Sequence, residues 1–146
     1  MPYFTYDTSV IIARGLNILR PASNLLFSSV VSMELMAGAT DGSRRKDCEN
    51  LFREHKDNQS LIVPDVGDWL FGGKILFWLS QARRRFEGGK LHRLPPGASQ
   101  RMAMDVLLAT SARRCDAAIV TYNWHDFKAI QRFCNVKIIK ASDFFK

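Results

Sequence analysis

Four acidic residues stand where an isolated charge is expensive. Asp7 ends the short aromatic run Tyr3–Tyr6. Glu34 lies in VVSMELMA, Asp105 in MAMDVLLAT and Asp126 in IVTYNWHDF. A carboxylate taken out of water without a partner costs several kcal/mol unless it is paired or neutralised. The other acids, such as Asp47, Glu49, Glu54 and Asp57, keep polar company and read as solvated. A buried Arg would satisfy any one of the four taken alone. Four together are better served by one divalent cation, because clustered carboxylates repel and raise one another's pKa. Oxygen ligands without His or Cys suit Mg²⁺ or Mn²⁺. An ion so held activates water and stabilises the oxygens of an in-line displacement at phosphorus.

The elements that must position these acids follow from the apolar periods. Short strand-like runs fall at 3–6, 25–29, 60–63, 117–121 and 136–139. Helical spacing fills 10–19, 31–39, 43–56, 65–86, 99–114 and 123–133. Gly72-Gly73 marks a weak point in the long helix, and the breakers of 88–97 mark a loop. Strands alternating with helices predict an α/β fold, with a mainly parallel sheet of about five strands covered on both faces. In such sheets the ligand crevice lies beyond the carboxyl ends of the strands. Asp7 and Asp126 follow strands there, and Glu34 lies one turn into a helix after one. Asp116 precedes a strand, at the opposite end, and is left out of the site.

The 146 residues make one domain, 1–146, by the usual allowance of about 100–200 residues. Hydrophobic residues make up 47% of the chain, which excludes disorder. No apolar run approaches the ~20 residues of a membrane span. The first residues lack the basic and small-residue marks of an export signal. Three widely spaced cysteines, Cys48, Cys115 and Cys134, form neither a disulfide framework nor a zinc motif. These features lead us to expect a reduced, cytoplasmic protein.

The charge points to a polyanion. Lys and Arg number 21 against 14 Asp and Glu, a net +7. RNA or DNA is the first candidate partner. The basic residues placed to hold a nucleic-acid backbone are Arg44, Arg45, Lys46, Arg83, Arg84, Arg85, Lys90, Arg93 and Arg101.

Four segments then carry a resemblance: YDTSVI at Asp7, SSVVSMELMAGA at Glu34, MDVLLATSARRCDAAIVT at Asp105, and TYNWHDF ending at Phe127. In order and spacing they resemble the PIN-domain ribonucleases, most of all the VapC-type toxins of toxin–antitoxin pairs. The resemblance puts the family's first three acids on Asp7, Glu34 and Asp105. The Thr-x-Asn-x-x-Asp-Phe form puts the variable fourth on Asp126, with Thr121 and Asn123 as polar supports. Ser9 stands where an Asn is common. Thr8, Ser9 and Asn123 are placed to orient a water or a carboxylate. The resemblance implies a three-layer αβα sandwich, a homodimer, Mg²⁺ or Mn²⁺ dependence and cleavage of single-stranded RNA. It also implies an antitoxin that covers the cleft.

Two other readings compete. A phosphoacceptor receiver domain would use Asp65, Thr121 and Lys140, each near a strand end. It leaves Glu34, Asp105 and the charge without a role, and Thr8 stands where its second paired acid belongs. A catalytically inactive nucleic-acid-binding or regulatory protein of the same fold has no need of all four acids. The segment 64–97 matches no motif, and its Trp69, Phe71, Phe77 and Trp78 are read first as core.

Overall fold

The computed structural model describes residues 2–86 and 98–146, the side chains of 84–86 and 98 excepted. Five strands form: β1 (Tyr3–Tyr6), β2 (Phe27–Ser28), β3 (Leu61–Ile62), β4 (Ala117–Thr121) and β5 (Ile138–Lys140). They make a three-stranded sheet in the order β1-β4-β5 and a two-stranded sheet of β2 and β3. Every pairing is parallel. A single bridge between Phe4 and Leu25 joins the two, with Phe4 N–H donating to Asn24 O and Leu26 N–H to Phe4 O. The expected five strands are therefore present, but as two sheets stitched beside β1. All five residues of β4 are buried, so helices cover both of its faces, as the layered α/β architecture requires.

The helices are α1 (Thr8–Arg14), α2 (Ser29–Ala37), α3 (Gly42–Asp57), α4 (Val66–Phe86), α5 (Ala98–Arg114), α6 (Trp124–Gln131) and α7 (Ala141–Phe144). The helix expected over 10–19 divides. Gly15 sits at φ 89°, open to glycine without a steric penalty, and ends α1 before a 3-10 turn at Leu16–Leu19. Asp7, Ser28 and Asp41 cap α1, α2 and α3 by accepting backbone N–H groups of the first turns. The Gly72-Gly73 step does not break α4. A Cβ at Gly72 would meet Val106 Cγ1 at 3.6 Å, so α5 packs against the helix there.

The core gathers Val10, Ile11, Phe27, Val31, Ile75, Val106, Ile119, Val120 and Phe127, each 4% exposed or less. Three residues outside the proposed chemistry have defined places. His55 is fully buried, its ring nitrogens bonded to Ser60 Oγ and Leu19 O. Cys48 and Cys134 are buried apolar fillers. The aromatic segment departs from its expected role. Phe71 packs against the core, but Trp69 and Phe77 are 62% and 59% exposed.

Candidate active site

Asp7 is the first residue after β1, and its N–H donates to Val120 O of the neighbouring strand at 3.2 Å. The carboxylate is therefore fixed at the carboxyl edge of the sheet, 4% exposed. Its Oδ1 accepts from Ser9 Oγ at 2.6 Å and from Val10 N at 3.3 Å. Its Oδ2 accepts from Thr121 Oγ1 at 2.6 Å. Both hydroxyls are themselves held by the backbone: Tyr122 N–H donates to Ser9 Oγ and Asn123 N–H to Thr121 Oγ1. The turn after β4 thus sets the Asp7 carboxylate through two relayed bonds. Ser9 makes this contact although the resembling motif commonly has an amide there.

Glu34 comes from the second turn of α2, and its Oε1 accepts from Thr8 Oγ1 at 3.1 Å. Asp126 lies in the first turn of α6, where a carboxylate is favoured by the helix dipole, and accepts from Asn123 Nδ2 at 2.8 Å. Asp105 comes from α5. These four acids line one cavity of about 580 Å³, together with Thr8, Ser9 and Asn123. Apart from Arg101, the rest of the lining is apolar: Ile12, Leu79, Met102, Ala129 and Ile130. Sequence reading did not single these out. Helical spacing carried the signal, since Met102 lies three residues before Asp105 and Ile12 three after Ser9.

The acids feel one another. Burial pushes the Asp105 carboxyl up to about 8, helped by the charges of Asp7, Glu34 and Asp126 and opposed by Arg101. Burial also raises Asp7, against the hydrogen bonds from Ser9 and Thr121 that favour its charged form. Glu34 is raised by burial and then by Asp7, while Thr8 lowers it. Such a set is strained by its own charge and is relieved by a cation. The donors are all oxygen, the chemistry of Mg²⁺ or Mn²⁺. As the side chains stand, no three of the described Asp, Glu, His and Cys residues form a group that could hold an ion. The carboxylates share the cavity without closing on one point.

The basic residues divide. Arg101 lines the cavity one turn before Asp105. Arg83 follows Leu79 by one turn on α4 and is not among the cavity's lining residues. Arg44, Arg45 and Lys46 lie on the exposed first turn of α3, with Arg45 paired to Glu49 at 3.0 Å, and are not among the cavity's lining residues. Lys90 and Arg93 lie outside the described residues, as do the side chains of Arg84 and Arg85.

The receiver reading fails on geometry. Asp65 follows β3, which β2 separates from β1 and β4, so it stands away from Thr121 and Lys140. It instead caps α4: Asp65 Oδ1 accepts from Asp68 N, Asp68 Oδ2 accepts from Asp65 N, and Arg114 reaches both.

No protein-family model and no curated protein matches the chain. Solved structures do. DNA-bound VapBC from Salmonella typhimurium matches with a TM-score of 0.57 at 19% identity, over 97% of this chain and 99% of that one. VapBC-1 from nontypeable Haemophilus influenzae matches at 0.55 and 17%, over 96% and 98%. VapBC-5 from Mycobacterium tuberculosis, of the VapBC family of toxin–antitoxin systems, matches at 0.53 and 19%, over 96% and 99%. At these identities the likeness carries the fold: over nearly its whole length the chain has the α/β fold found in these VapBC structures, as the resemblance of its motifs to PIN domains implied.

Proposed function

We propose that the protein is a metal-dependent endoribonuclease that hydrolyses single-stranded RNA, and that it is the toxin of a toxin–antitoxin pair. One observation carries the reading: four carboxylates from four separate segments face a single cavity at the carboxyl edge of a parallel sheet. Asp7, Glu34, Asp105 and Asp126 would hold Mg²⁺ or Mn²⁺. A bound ion of this kind supplies a water of lowered pKa and positive charge for the oxygens of an in-line displacement at phosphorus.

The chain's own groups do the rest. Ser9 and Thr121 hold Asp7 in one rotamer, Thr8 holds Glu34 and Asn123 holds Asp126. Arg101 faces the same cavity and offers a phosphate a bidentate partner. The apolar part of the lining offers a face to an unstacked base. A cavity open at the surface suits a flexible single strand better than a duplex. The likeness to toxin–antitoxin structures supports an antitoxin partner for this chain as well, and the motif resemblance implies a homodimer. Among the described residues, no helix is long and apolar enough to cross a membrane.

Cleavage of end-labelled total RNA tests the reading, with wild type and Asp7→Asn, each in Mn²⁺ and in EDTA. Discrete cuts are expected from wild type with metal alone. The Asn variant should be at least ~100-fold slower, since the metal's electrostatic work is worth several kcal/mol. Equal cutting by a folded Asp7→Asn protein with verified metal content would remove Asp7 from the site. An absence of cuts from metal-loaded wild type would favour the regulatory role instead.

A further inference from the structure

The cations of this protein are held in two different ways. Arg45, Arg53, Arg114 and Lys146 lie against carboxylates, which compensate their charge locally. Lys128 and Lys140 lie instead against one indole. Lys140 Nζ stands 4.4 Å from the centre of the Trp124 ring and Lys128 Nζ 5.3 Å from it. Both fall within the ~6 Å at which the ring's negative face attracts an ammonium. Lys128 Nζ also donates to the neutral Gln131 Oε1 at 2.7 Å. Among the described residues, no carboxylate bridges either lysine. An aromatic ring orders a cation without cancelling its charge. Arg14, Arg113 and Arg132 each lie over a ring of their own, whereas Trp124 gathers two cations.

The fold puts this pair beside the cavity. Lys140 ends β5 and is the register partner of Thr121, whose hydroxyl holds Asp7. Register partners on parallel strands send their side chains to the same face, so Lys140 leaves the sheet on the side that Thr121 does. Two strand spacings separate β5 from β1, which sets Lys140 about 10 Å from Asp7 along the carboxyl edge. Trp124 opens α6 between Asn123 and Asp126, which both line the cavity. Lys128, four residues on, shares the stripe of Trp124, while Asp126, Ala129 and Ile130 turn to the cavity. Both lysines are exposed and Trp124 is half-buried. A chain leaving the cavity across the first turn of α6 therefore meets two ordered ammoniums.

We infer that Trp124, Lys128 and Lys140 form a subsite for the RNA backbone on one side of the scissile phosphate. The ammoniums take adjacent phosphates, and the indole keeps the two long side chains in place before the strand arrives. That ordering reduces the side-chain entropy lost on binding. The subsite positions the strand and touches no reacting atom. It rests on the reading of the cavity as a site for single-stranded RNA, and adds cations that composition alone did not single out.

Binding of a short labelled single-stranded RNA to the full-length Asp7→Asn protein, followed against salt, tests it. Each phosphate contact on a single strand contributes about −0.7 to the slope of log K against log salt. Lys128→Ala with Lys140→Ala should flatten the slope by about 1.4 and weaken binding about 10-fold or more at 0.1 M salt. Lys128→Arg with Lys140→Arg should restore both, which a merely structural role would not do. Trp124→Leu keeps the charges and removes their platform, so it should preserve the slope and weaken binding about 3-fold. Arg132→Ala, a ring-held cation at the other end of α6, should change neither. A parent protein that binds no RNA would overturn the RNA reading and this subsite together. A parent whose slope responds to Arg101→Ala but not to the paired lysine substitutions would overturn the subsite alone. Trp124→Leu binding as tightly as the parent would take the indole out of it.

Discussion

At the scale of single residues, Asp105 is the clearest instrument for reading the cavity. Its carboxyl, raised to about 8 from an ordinary 3.8, keeps a proton in the folded protein that the unfolded chain has released. Its contribution to stability is full below about pH 4 and is lost as the pH rises through 8. Asp105→Asn cannot ionise and escapes that loss. In EDTA the variant should match wild type near pH 4 and exceed it by at least about 1 kcal/mol at pH 8, measured by urea unfolding. Excess Mn²⁺ should reverse the order, because the ion stabilises only a folded protein that retains its ligands. An Asn variant no more stable than wild type at pH 8 would mean that Asp105 is not held against its neighbours. Ser9 gives a subtler test. Its hydroxyl both donates to Asp7 and accepts from Tyr122 N, so Ser9→Ala loosens the carboxylate and orphans an N–H. Mn²⁺ affinity should fall about 10-fold to 100-fold, with little loss of stability beyond ~1 kcal/mol. Titration calorimetry reads both the affinity and the number of ions.

At the scale of elements, the reciprocal cap of α4 ties sequence-distant parts together. Asp68 is 5% exposed, accepts Asp65 N–H and bonds Arg114 at 2.8 Å, joining the start of α4 to the end of α5. Asp68→Ala removes a cap and leaves Arg114 without its buried partner, so about 2–3 kcal/mol should go. Cleavage per folded molecule should not change, which separates this acidic pair from the four in the cavity. The same elements show what was legible in the sequence. Strand β4 was plain because four apolar residues and Thr121 stand between two turns, and β1 because an aromatic run stops at Asp7. The four acids were legible because apolar neighbours made their charge conspicuous. The reach of β2 and β3 was not, since two paired residues each are too few to leave a period. Helix α7, four residues long, left no signal either. The outer face of α4 was misjudged for a general reason. Apolar spacing shows that a face shuns water, but not whether the same chain covers it, and α4 carries one apolar stripe inward and another outward.

At the scale of the whole molecule, the net charge of +7 does not by itself say which cations meet the substrate. The structure narrows the choice. Arg101 lies in the cavity, whereas Arg45 and Arg53 are held by Glu49 on the exposed side of α3. Single-stranded RNA seated in this cavity should therefore touch few cations, and its binding should weaken with salt to match. Each phosphate neutralised on a single strand contributes a slope of about −0.7 in log K against log salt. For the inactive Asp7→Asn protein and a short labelled RNA, a slope of about −1.5 to −3 is expected, corresponding to two to four phosphates. Arg101→Ala should flatten it by about 0.7, and a triple substitution of Arg44, Arg45 and Lys46 to Ala should leave it nearly unchanged. The reverse pattern would move the RNA path from the cavity rim to the first turn of α3. A slope much steeper than −3 would mean that the strand wraps further round the molecule than the cavity alone requires.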